Sequence, residues 1–472
     1  MRPHLIGNGA AKGRGGTNGL DMAGPSGCDG VALAGAGWLA GNGIRAMMSL
    51  TRPPMLPNYI AHSAIARLRP QVQDIVSENI ASLAAEAGPL NGVIPLWYGE
   101  GDLPTPAFVR DAAKGALDAR RTFYVPDMRG NPELVAALSK YQTRLYGVPI
   151  GNDRSTVQPS GMQVMLVALE LVCDLGTNVV YVEPQWPNSH NCIHLVGGER
   201  RPVPLRLDDA GWHLDLDRLF ARCDARTRAI LFSSPANPTG WTATREELQT
   251  PLDFSQERGI WIIADEVYAR LFWAAEAGAV HAGDRRAGGP GAVPPAVFES
   301  MGYMTGFRVS WLTHLASVSA RVSAITQYMS SGTADFVQMA AAAALRGGEA
   351  SAGAMRDRCR AGLALAYERL ERNPLFRLPP MPAGGMYAFF QVEGWPDSRA
   401  ACADVLRRAR RPGARGAVRG TRQRRTCACA SRATRRSLQR RSTGLLAWSD
   451  DGPGRRGVTL AHPTQREQPW CI

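Results

Sequence analysis

Polar and aromatic side chains follow three short apolar runs of this 472-residue sequence, two of them directly and the second after a short spacer. The runs Val179–Val182, Ala229–Phe232 and Trp261–Ala264 are apolar enough to form buried strands. The clusters after them are Glu183-Pro184-Gln185-Trp186-Pro187, Asn237-Pro238-Thr239-Gly240 and Asp265-Glu266-Val267-Tyr268. Ligands of open α/β sheets bind outside the carboxyl ends of the strands, so one ligand site could collect all three clusters.

A fourth element adds an anion site to this arrangement. Ser160-Gly161-Met162-Gln163 opens a nearly all-apolar segment, which predicts a helix that runs to Cys173 and is stopped by Gly176. A helix start with a small residue binds anions readily, because its unpaired N–H groups and the helix dipole favour negative charge.

Each cluster taken alone also has a purely structural interpretation. Asp265 after an apolar run is typical of a turn or cap residue, Trp186 beside prolines is typical of a packed loop, and Asn-Pro-Thr-Gly favours a turn. His190 and His194 have the spacing of a metal-binding pair on a helix, but no Glu follows the first and no third ligand is evident.

The elements that would position these residues alternate along the chain. From about Val93, short β-rich runs alternate with helical patterns, which predicts βαβ units: an α/β fold with a mostly parallel twisted sheet. The predicted division is a Gly-rich disordered extension (1–48), an N-terminal arm and part of a small domain (49–95), a large domain (96–347), the rest of the small α/β domain (348–408) and an Arg-rich disordered tail (409–472).

Within these domains, residues 274–296 are predicted to be a long loop, 309–344 a helical region, and 384–390 a turn and strand. Translation is hypothesised to begin at Met47 or Met48.

The net charge of +13 belongs to the tail. Residues 405–472 hold 17 arginines against 3 acidic residues, so the remainder of the chain carries a charge of −1. The arginine-rich stretch 407–441 has no interleaved aromatic residues, so nucleic-acid binding is not favoured over a solvated segment. No apolar stretch predicts a membrane span, and nine scattered cysteines predict a reducing compartment, the cytoplasm.

Two further segments flank the clusters and complete a family pattern. Gly99-Glu100-Gly101-Asp102-Leu103-Pro104-Thr105-Pro106 and Tyr124–Gly130 precede them, and Met304-Thr305-Gly306-Phe307-Arg308 follows. In this order the residues resemble the class I/II aminotransferases, which are fold-type-I enzymes dependent on pyridoxal 5′-phosphate. The resemblance covers roughly residues 96–407 and implies amino acid and 2-oxo acid substrates and a homodimer.

The resemblance also implies a role for each residue. Asp265 would pair with the ring nitrogen of pyridoxal phosphate and keep it protonated, while Asn237 and Tyr268 would hydrogen-bond the phenolic oxygen. Trp186 would stack on the ring. The remaining residues would bind the phosphate: Ser160, Gly161 and Met162 at the helix start, Arg308 through its guanidinium, and Tyr124 across the subunit interface.

The sequence departs from this pattern at the catalytic lysine. The family carries it four residues before the Met of the Met-Thr-Gly segment, in a Ser-x-Ser-Lys motif, and the positions here are Val297, Phe298, Glu299 and Ser300. Serine can neither bond the cofactor's aldehyde as lysine does nor act as an amine base. The only lysines are Lys12, Lys114 and Lys140, so a shifted alignment cannot supply one.

A second departure lies near the C-terminus. Residues 410–441 show no strand period, so no arginine can be assigned to the substrate carboxylate. Residues 274–300 and 409–472 are hypothesised to be out-of-frame readings of a GC-rich gene. The sequence therefore predicts an aminotransferase-family protein impaired as written, and the alternative is a non-catalytic protein that binds pyridoxal phosphate or an amino acid.

Overall fold

The computed structural model describes residues 64–73, 75, 96, 99–273, 292–293, 295–296, 303–395, 398, 400–402, 404, 419–420 and 427–430. Ser300, residues 1–63 and most of the arginine-rich tail lie outside the described residues, so the predictions made for them remain predictions.

The helices of the described residues are numbered here in chain order. They are α1 (Pro70–Gln73), α2 (Ala107–Asp118), α3 (Pro132–Tyr146), α4 (Gly161–Glu170), α5 (Pro187–Leu195), α6 (Leu216–Ala221), α7 (Arg245–Arg258), α8 (Ser319–Ser330), α9 (Asp335–Gly347) and α10 (Glu349–Leu370).

The strands are numbered in the same way. They are β1 (Ser155–Gln158), β2 (Asn178–Glu183), β3 (Glu199–Pro204), β4 (Arg206–Asp208), β5 (Gly211–His213), β6 (Thr227–Ser233), β7 (Trp261–Asp265), β8 (Ala292–Val293), β9 (Pro295–Ala296), β10 (Ser310–Thr313), β11 (Phe376–Arg377), β12 (Tyr387–Val392), β13 (Arg419–Gly420) and β14 (Cys427–Ala430).

A five-stranded sheet in the order β3-β2-β6-β7-β8 forms the centre of the larger part of the chain. Every pairing in it is parallel, which confirms the predicted α/β class and the three predicted strands. Three antiparallel groups accompany it: β1-β10-β9, β11-β12-β14-β13 and the β4-β5 hairpin.

Helices cover both faces of the parallel sheet. Successive residues of a strand point to opposite faces, so neighbouring residues pack against different helices. Val179 and Ile263 are buried on one face with residues of α4, α5 and α8. Their neighbours Val180 and Ile262 are buried on the other face with residues of α6 and α7. The central residues of strands covered on both sides must therefore be apolar, as Val179–Val182, Ala229–Phe232 and Trp261–Ala264 are.

Local sequence signals set the ends of several helices. The Thr244 hydroxyl accepts from Glu247 N, and the Glu247 carboxylate accepts from Thr244 N, a capping box that starts α7. Gly259 ends α7 in the left-handed conformation at φ +64°, which glycine adopts without a Cβ clash.

The structure corrects four expectations. The helix α4 ends at Glu170 rather than Cys173. Residues 310–313, expected to be helical, form β10, because all four are buried and pair with β1. The predicted loop 274–296 contains the short strands β8 and β9, and the predicted disordered tail contains β13 and β14. In the last three cases a partner strand supplies the hydrogen bonds that the local sequence does not predict.

Candidate active site

The carboxyl ends of β2, β6 and β7 lie side by side, because these strands are parallel neighbours. Ser233 at the end of β6 pairs with Asp265 at the end of β7. Trp186 follows β2, Asn237 follows β6, and Tyr268 follows β7, each within four residues of the strand end. The structure therefore places the three predicted clusters at one edge of the sheet.

Two of the predicted site residues are in direct contact within a buried group of hydroxyl and amide donors. The Asn237 Nδ2 donates to the Tyr387 hydroxyl at 3.1 Å and lies 3.5 Å from the Tyr268 hydroxyl. The two phenol oxygens are 2.8 Å apart, and the rings are perpendicular. Several proton donors thus converge on one small space, as the recognition of an anionic oxygen requires.

Gly99 borders the same donors. A Cβ built on it would lie 1.7 Å from the Tyr387 hydroxyl oxygen and 3.0 Å from that of Tyr268. No other residue type fits here without displacing a phenol, which explains a glycine in the early Gly/Pro segment.

Tyr387 is a candidate site residue that sequence reasoning missed. It begins β12 and reaches the site because the preceding turn is bonded to the segment after Tyr268: Trp273 N donates to Ala383 O at 2.9 Å, and Gly385 N donates to Leu271 O at 2.8 Å. The double glycine before the strand marks this turn in the sequence, but nothing in the sequence indicates its partner.

Asp265 is a buried carboxyl group at the end of β7, 7% exposed. Burial raises the pKa of this group to about 6. A hydrogen bond from Val267 N to the Asp265 Oδ1, at 3.0 Å, acts in the opposite direction and lowers the pKa. In the part of the chain that the structure describes, no Lys, Arg or His side chain is paired with this carboxyl group. A buried carboxyl group without a counter-charge suits a cationic ligand, because the ligand's charge would compensate its desolvation.

The predicted anion site lies at the start of α4. The Ser160 Oγ caps this helix by accepting from Gln163 N at 3.1 Å, and the buried Gln163 Nε2 has no hydrogen-bond acceptor among the described residues. Gln158 pairs with Ser310 in the antiparallel β1–β10 register, so the strand that leads into α4 lies beside the strand that follows Arg308. The Arg308 Nη1 donates to Thr305 O at 3.0 Å.

Two predicted residues are not part of the contacting group. Trp186 is half-buried at the start of α5, where its carbonyl oxygen accepts from Ser189 N at 3.2 Å. Tyr124 is 84% exposed in the loop after α2. Its predicted role requires a second subunit and stays a prediction.

The two histidines of α5 do not form a metal centre with other described residues. The His190 ring stacks on Tyr181 with centroids 5.3 Å apart, and the described residues contain no group of three His, Cys, Asp or Glu able to hold a metal ion. Among the same residues, no helix has both the length and the apolar composition needed to cross a bilayer.

The known proteins that resemble this chain are aminotransferases. The profile of the family "Aminotransferase class I and II" matches residues 92–437. Aspartate aminotransferase of Pyrococcus horikoshii is 26% identical over 68% of this chain and 81% of its own length. Arginine–pyruvate transaminase of Pseudomonas aeruginosa is 28% identical over 66% of this chain and 79% of its own length.

Solved structures show the same fold. Aspartate aminotransferase of Thermotoga maritima superposes with a TM-score of 0.72 at 24% identity, covering 81% of this chain and 100% of its own. N-succinyldiaminopimelate aminotransferase of Mycobacterium tuberculosis gives a TM-score of 0.72 at 22% identity, again covering 81% and 100%. The predicted fold-type-I architecture is confirmed, and this chain belongs to the class I and II aminotransferase family.

Proposed function

We propose that this chain binds pyridoxal 5′-phosphate at the carboxyl ends of β2, β6 and β7, and that it descends from enzymes that transfer an amino group from an amino acid to a 2-oxo acid. We propose further that this transfer is impaired here, because Ser300 occupies the position of the catalytic lysine. The observation that carries the first proposal is that the buried Asp265 carboxyl group and the donors Asn237 and Tyr268, which both contact Tyr387, lie where neighbouring strands end at the same edge of the sheet.

The described residues fit this cofactor at three points. A protonated ring nitrogen would supply the counter-charge that Asp265 lacks among them, and the phenolic oxygen would accept from Asn237 or Tyr268. The phosphate would meet the N-terminus of α4 and the guanidinium of Arg308. When bound, the cofactor supplies an electron-withdrawing ring that stabilises negative charge at the substrate α-carbon.

Each residue would then have a defined task. Asp265 would hold the proton on the ring nitrogen, and Asn237 and Tyr268 would favour the charged form of the phenolic oxygen. Trp186 would cover one face of the ring and exclude water from it. None of these residues can take the place of an amine base, since none carries an amino group.

The two described lysines do not replace the missing one. Lys114 lies on α2, its side chain 71% exposed, and its Nζ pairs with Asp111 Oδ1 at 3.3 Å. Lys140 lies on the exposed side of α3. Both therefore point to solvent from helices outside the candidate site.

The relatives differ in the amino acid that their names give, aspartate in one case and arginine in another. At 26% and 28% identity neither fixes the substrate of this chain, so the proposal extends to an amino acid and a 2-oxo acid and no further. We also propose a cytoplasmic homodimer, in which the exposed Tyr124 would contact the partner.

The alternative function uses the same site without the reaction. A protein that binds pyridoxal phosphate or an amino acid without turning it over needs the Asp265 and Tyr268 contacts but no lysine. The serine at position 300 favours this alternative, whereas the retained donor set is common to both.

The deciding experiment compares the chain with Ser300→Lys. We expect the unmodified chain to bind pyridoxal phosphate reversibly, with no mass increase at position 300 after borohydride reduction. Ser300→Lys should gain that mass increase on a peptide containing residue 300.

Amino transfer by Ser300→Lys would support the impaired enzyme, and covalent attachment without transfer would support the binding protein. Failure of both proteins to bind the cofactor would refute the proposed site. Asp265→Ala is the control, because loss of the ring-nitrogen partner should weaken binding in both backgrounds.

A further inference from the structure

A buried arginine that the proposed site does not use lies two residues after Tyr268. Arg270 is 4% exposed, and its Nη1 donates to the Tyr141 hydroxyl of α3 at 3.0 Å. Its guanidinium also forms an ion pair with Glu349, the first residue of α10. Arg270 thus connects the turn after β7 to two helices that belong to different predicted domains.

A second contact holds the other end of the same turn. The Tyr146 hydroxyl, also from α3, donates to Glu266 Oε2 at 2.8 Å, and Glu266 is 4% exposed. Both ends of the segment 266–270 are therefore bound to the C-terminal half of α3 by buried polar contacts. Such contacts in a low-dielectric interior are costly to break, because a lost partner leaves a desolvated group behind.

The residue between the two anchors is Tyr268. The turn around it is closed by main-chain hydrogen bonds, from Ala269 N to Glu266 O at 2.9 Å and from Leu271 N to Tyr268 O at 2.8 Å. These bonds shape the turn, whereas the contacts to α3 and α10 fix where the turn sits. The direction of the Tyr268 phenol follows from both.

We infer that Arg270 is a positioning residue, which holds the turn after β7 so that the Tyr268 hydroxyl stays among the donors of the candidate site. The inference rests on the proposed function, since it gives Arg270 a role in binding the cofactor through Tyr268. Lysine cannot substitute fully, because a single ammonium group lacks the planar fork that reaches Tyr141 and Glu349 together.

The test is a double-mutant cycle between Arg270→Met and Tyr268→Phe, with pyridoxamine 5′-phosphate as the probe and calorimetry as the measurement. We expect Arg270→Met to weaken probe binding about fivefold to tenfold in the unmodified chain, as loss of one hydrogen bond does. In the Tyr268→Phe background the same change should weaken binding less than twofold, because the hydroxyl it positions is gone. A general loss of structure would weaken binding equally in both backgrounds, and that result overturns the inference.

Arg121→Met is the matched control. The Arg121 Nε pairs with the Asp335 Oδ2 at 2.7 Å and joins the segment after α2 to α9. The variant Arg121→Met therefore also loses an ion pair between two segments, but one that does not involve the turn after β7. We expect it to leave probe affinity within twofold. If Arg270→Met does not fold, Arg270→Lys and Tyr141→Phe enter the same cycle, with partial losses expected from each.

A ligand-free measurement separates this inference from the proposed function. With 3-fluorotyrosine at position 268, Arg270→Met should shift or broaden the ¹⁹F resonance, whereas Arg121→Met should leave it unchanged. If the unmodified chain binds no probe, the proposed function fails and the ¹⁹F result alone decides the positioning role. An unchanged resonance in Arg270→Met would overturn it.

Discussion

Replacing Asp265 by asparagine should make the ligand-free protein more stable at neutral pH, although it removes a residue of the proposed site. Burial raises the pKa of this carboxyl group from 3.8 to about 6. Asparagine keeps an oxygen that can accept from Val267 N, but it carries no charge to desolvate. The substitution therefore removes a cost that the folded chain bears when Asp265 is ionised.

The size and sign of the effect follow from the two pKa values. Between pH 3.8 and about 6 the folded chain keeps the proton that the unfolded chain has lost, so the free energy of unfolding falls as the pH rises. At 1.36 kcal/mol per pH unit the total fall is about 3 kcal/mol, complete about one pH unit above pH 6. Part of it has occurred by pH 4, so the stability difference between Asp265→Asn and the unmodified chain should grow by about 2 kcal/mol from pH 4 to pH 7.

The assay is urea unfolding of the ligand-free proteins at pH 4, 5, 6 and 7. Only the difference between the two proteins is interpreted, because the other titrating groups are common to both. Asp209→Asn, which removes an exposed aspartate, is the control, and we expect its difference to change by less than about 0.5 kcal/mol over this range. A stability difference for Asp265→Asn that is independent of pH would refute the burial argument.

The same pair of proteins links stability to binding. Saturating pyridoxamine 5′-phosphate should stabilise the unmodified chain more than Asp265→Asn, because a ligand stabilises in proportion to its affinity and only the carboxylate can pair with a ring cation. Equal stabilisation of the two proteins would show that Asp265 does not contact the ligand.

Two further predictions concern a buried histidine and a closely packed glycine. The Nε2 of His314 lies 2.9 Å from the Thr156 hydroxyl, and burial lowers the pKa of this histidine to about 4. The unfolded chain therefore takes up a proton near pH 6.5, whereas the folded chain takes it up only near pH 4. The free energy of unfolding should therefore fall by up to about 3 kcal/mol as the pH drops from 6.5 to 4. In urea titrations His314→Gln should lose this pH dependence. A pH dependence that is the same in both proteins would contradict the lowered pKa of His314. Gly99→Ala should destabilise the chain by about 1–3 kcal/mol and weaken pyridoxamine 5′-phosphate binding, because its Cβ would displace the Tyr387 hydroxyl. Gly115→Ala, with nothing within 4 Å of the added Cβ and a position inside α2, should be neutral or stabilising in thermal melts, and a matching loss in both variants would contradict the clash.

The sequence by itself determined the elements whose signal is local. The central residues of β2, β6 and β7 are apolar because helices cover both faces of the sheet, so each strand can be recognised as a short apolar run without its partners. The polar clusters follow from these strands, since parallel neighbours end at one edge. The order of the motifs then sufficed for the family, and the sequence alone places a serine at position 300, where the resemblance predicts the catalytic lysine.

Tertiary structure decided what depends on distant partners. Tyr387 meets Tyr268 across 119 residues and Asn237 across 150, and no local pattern in β12 indicates either contact. The residues of β10 suggest a helix, but they form a strand because they pair with β1. The residues of β14 suggest disorder, but they form a strand because they pair with β12. Arg270 looks like an ordinary surface arginine in the sequence and becomes buried only because Tyr141 and Glu349 converge on it. Strand pairing and buried polar contacts draw their energy from groups far apart in the chain, so they become visible only when the fold has brought those groups together.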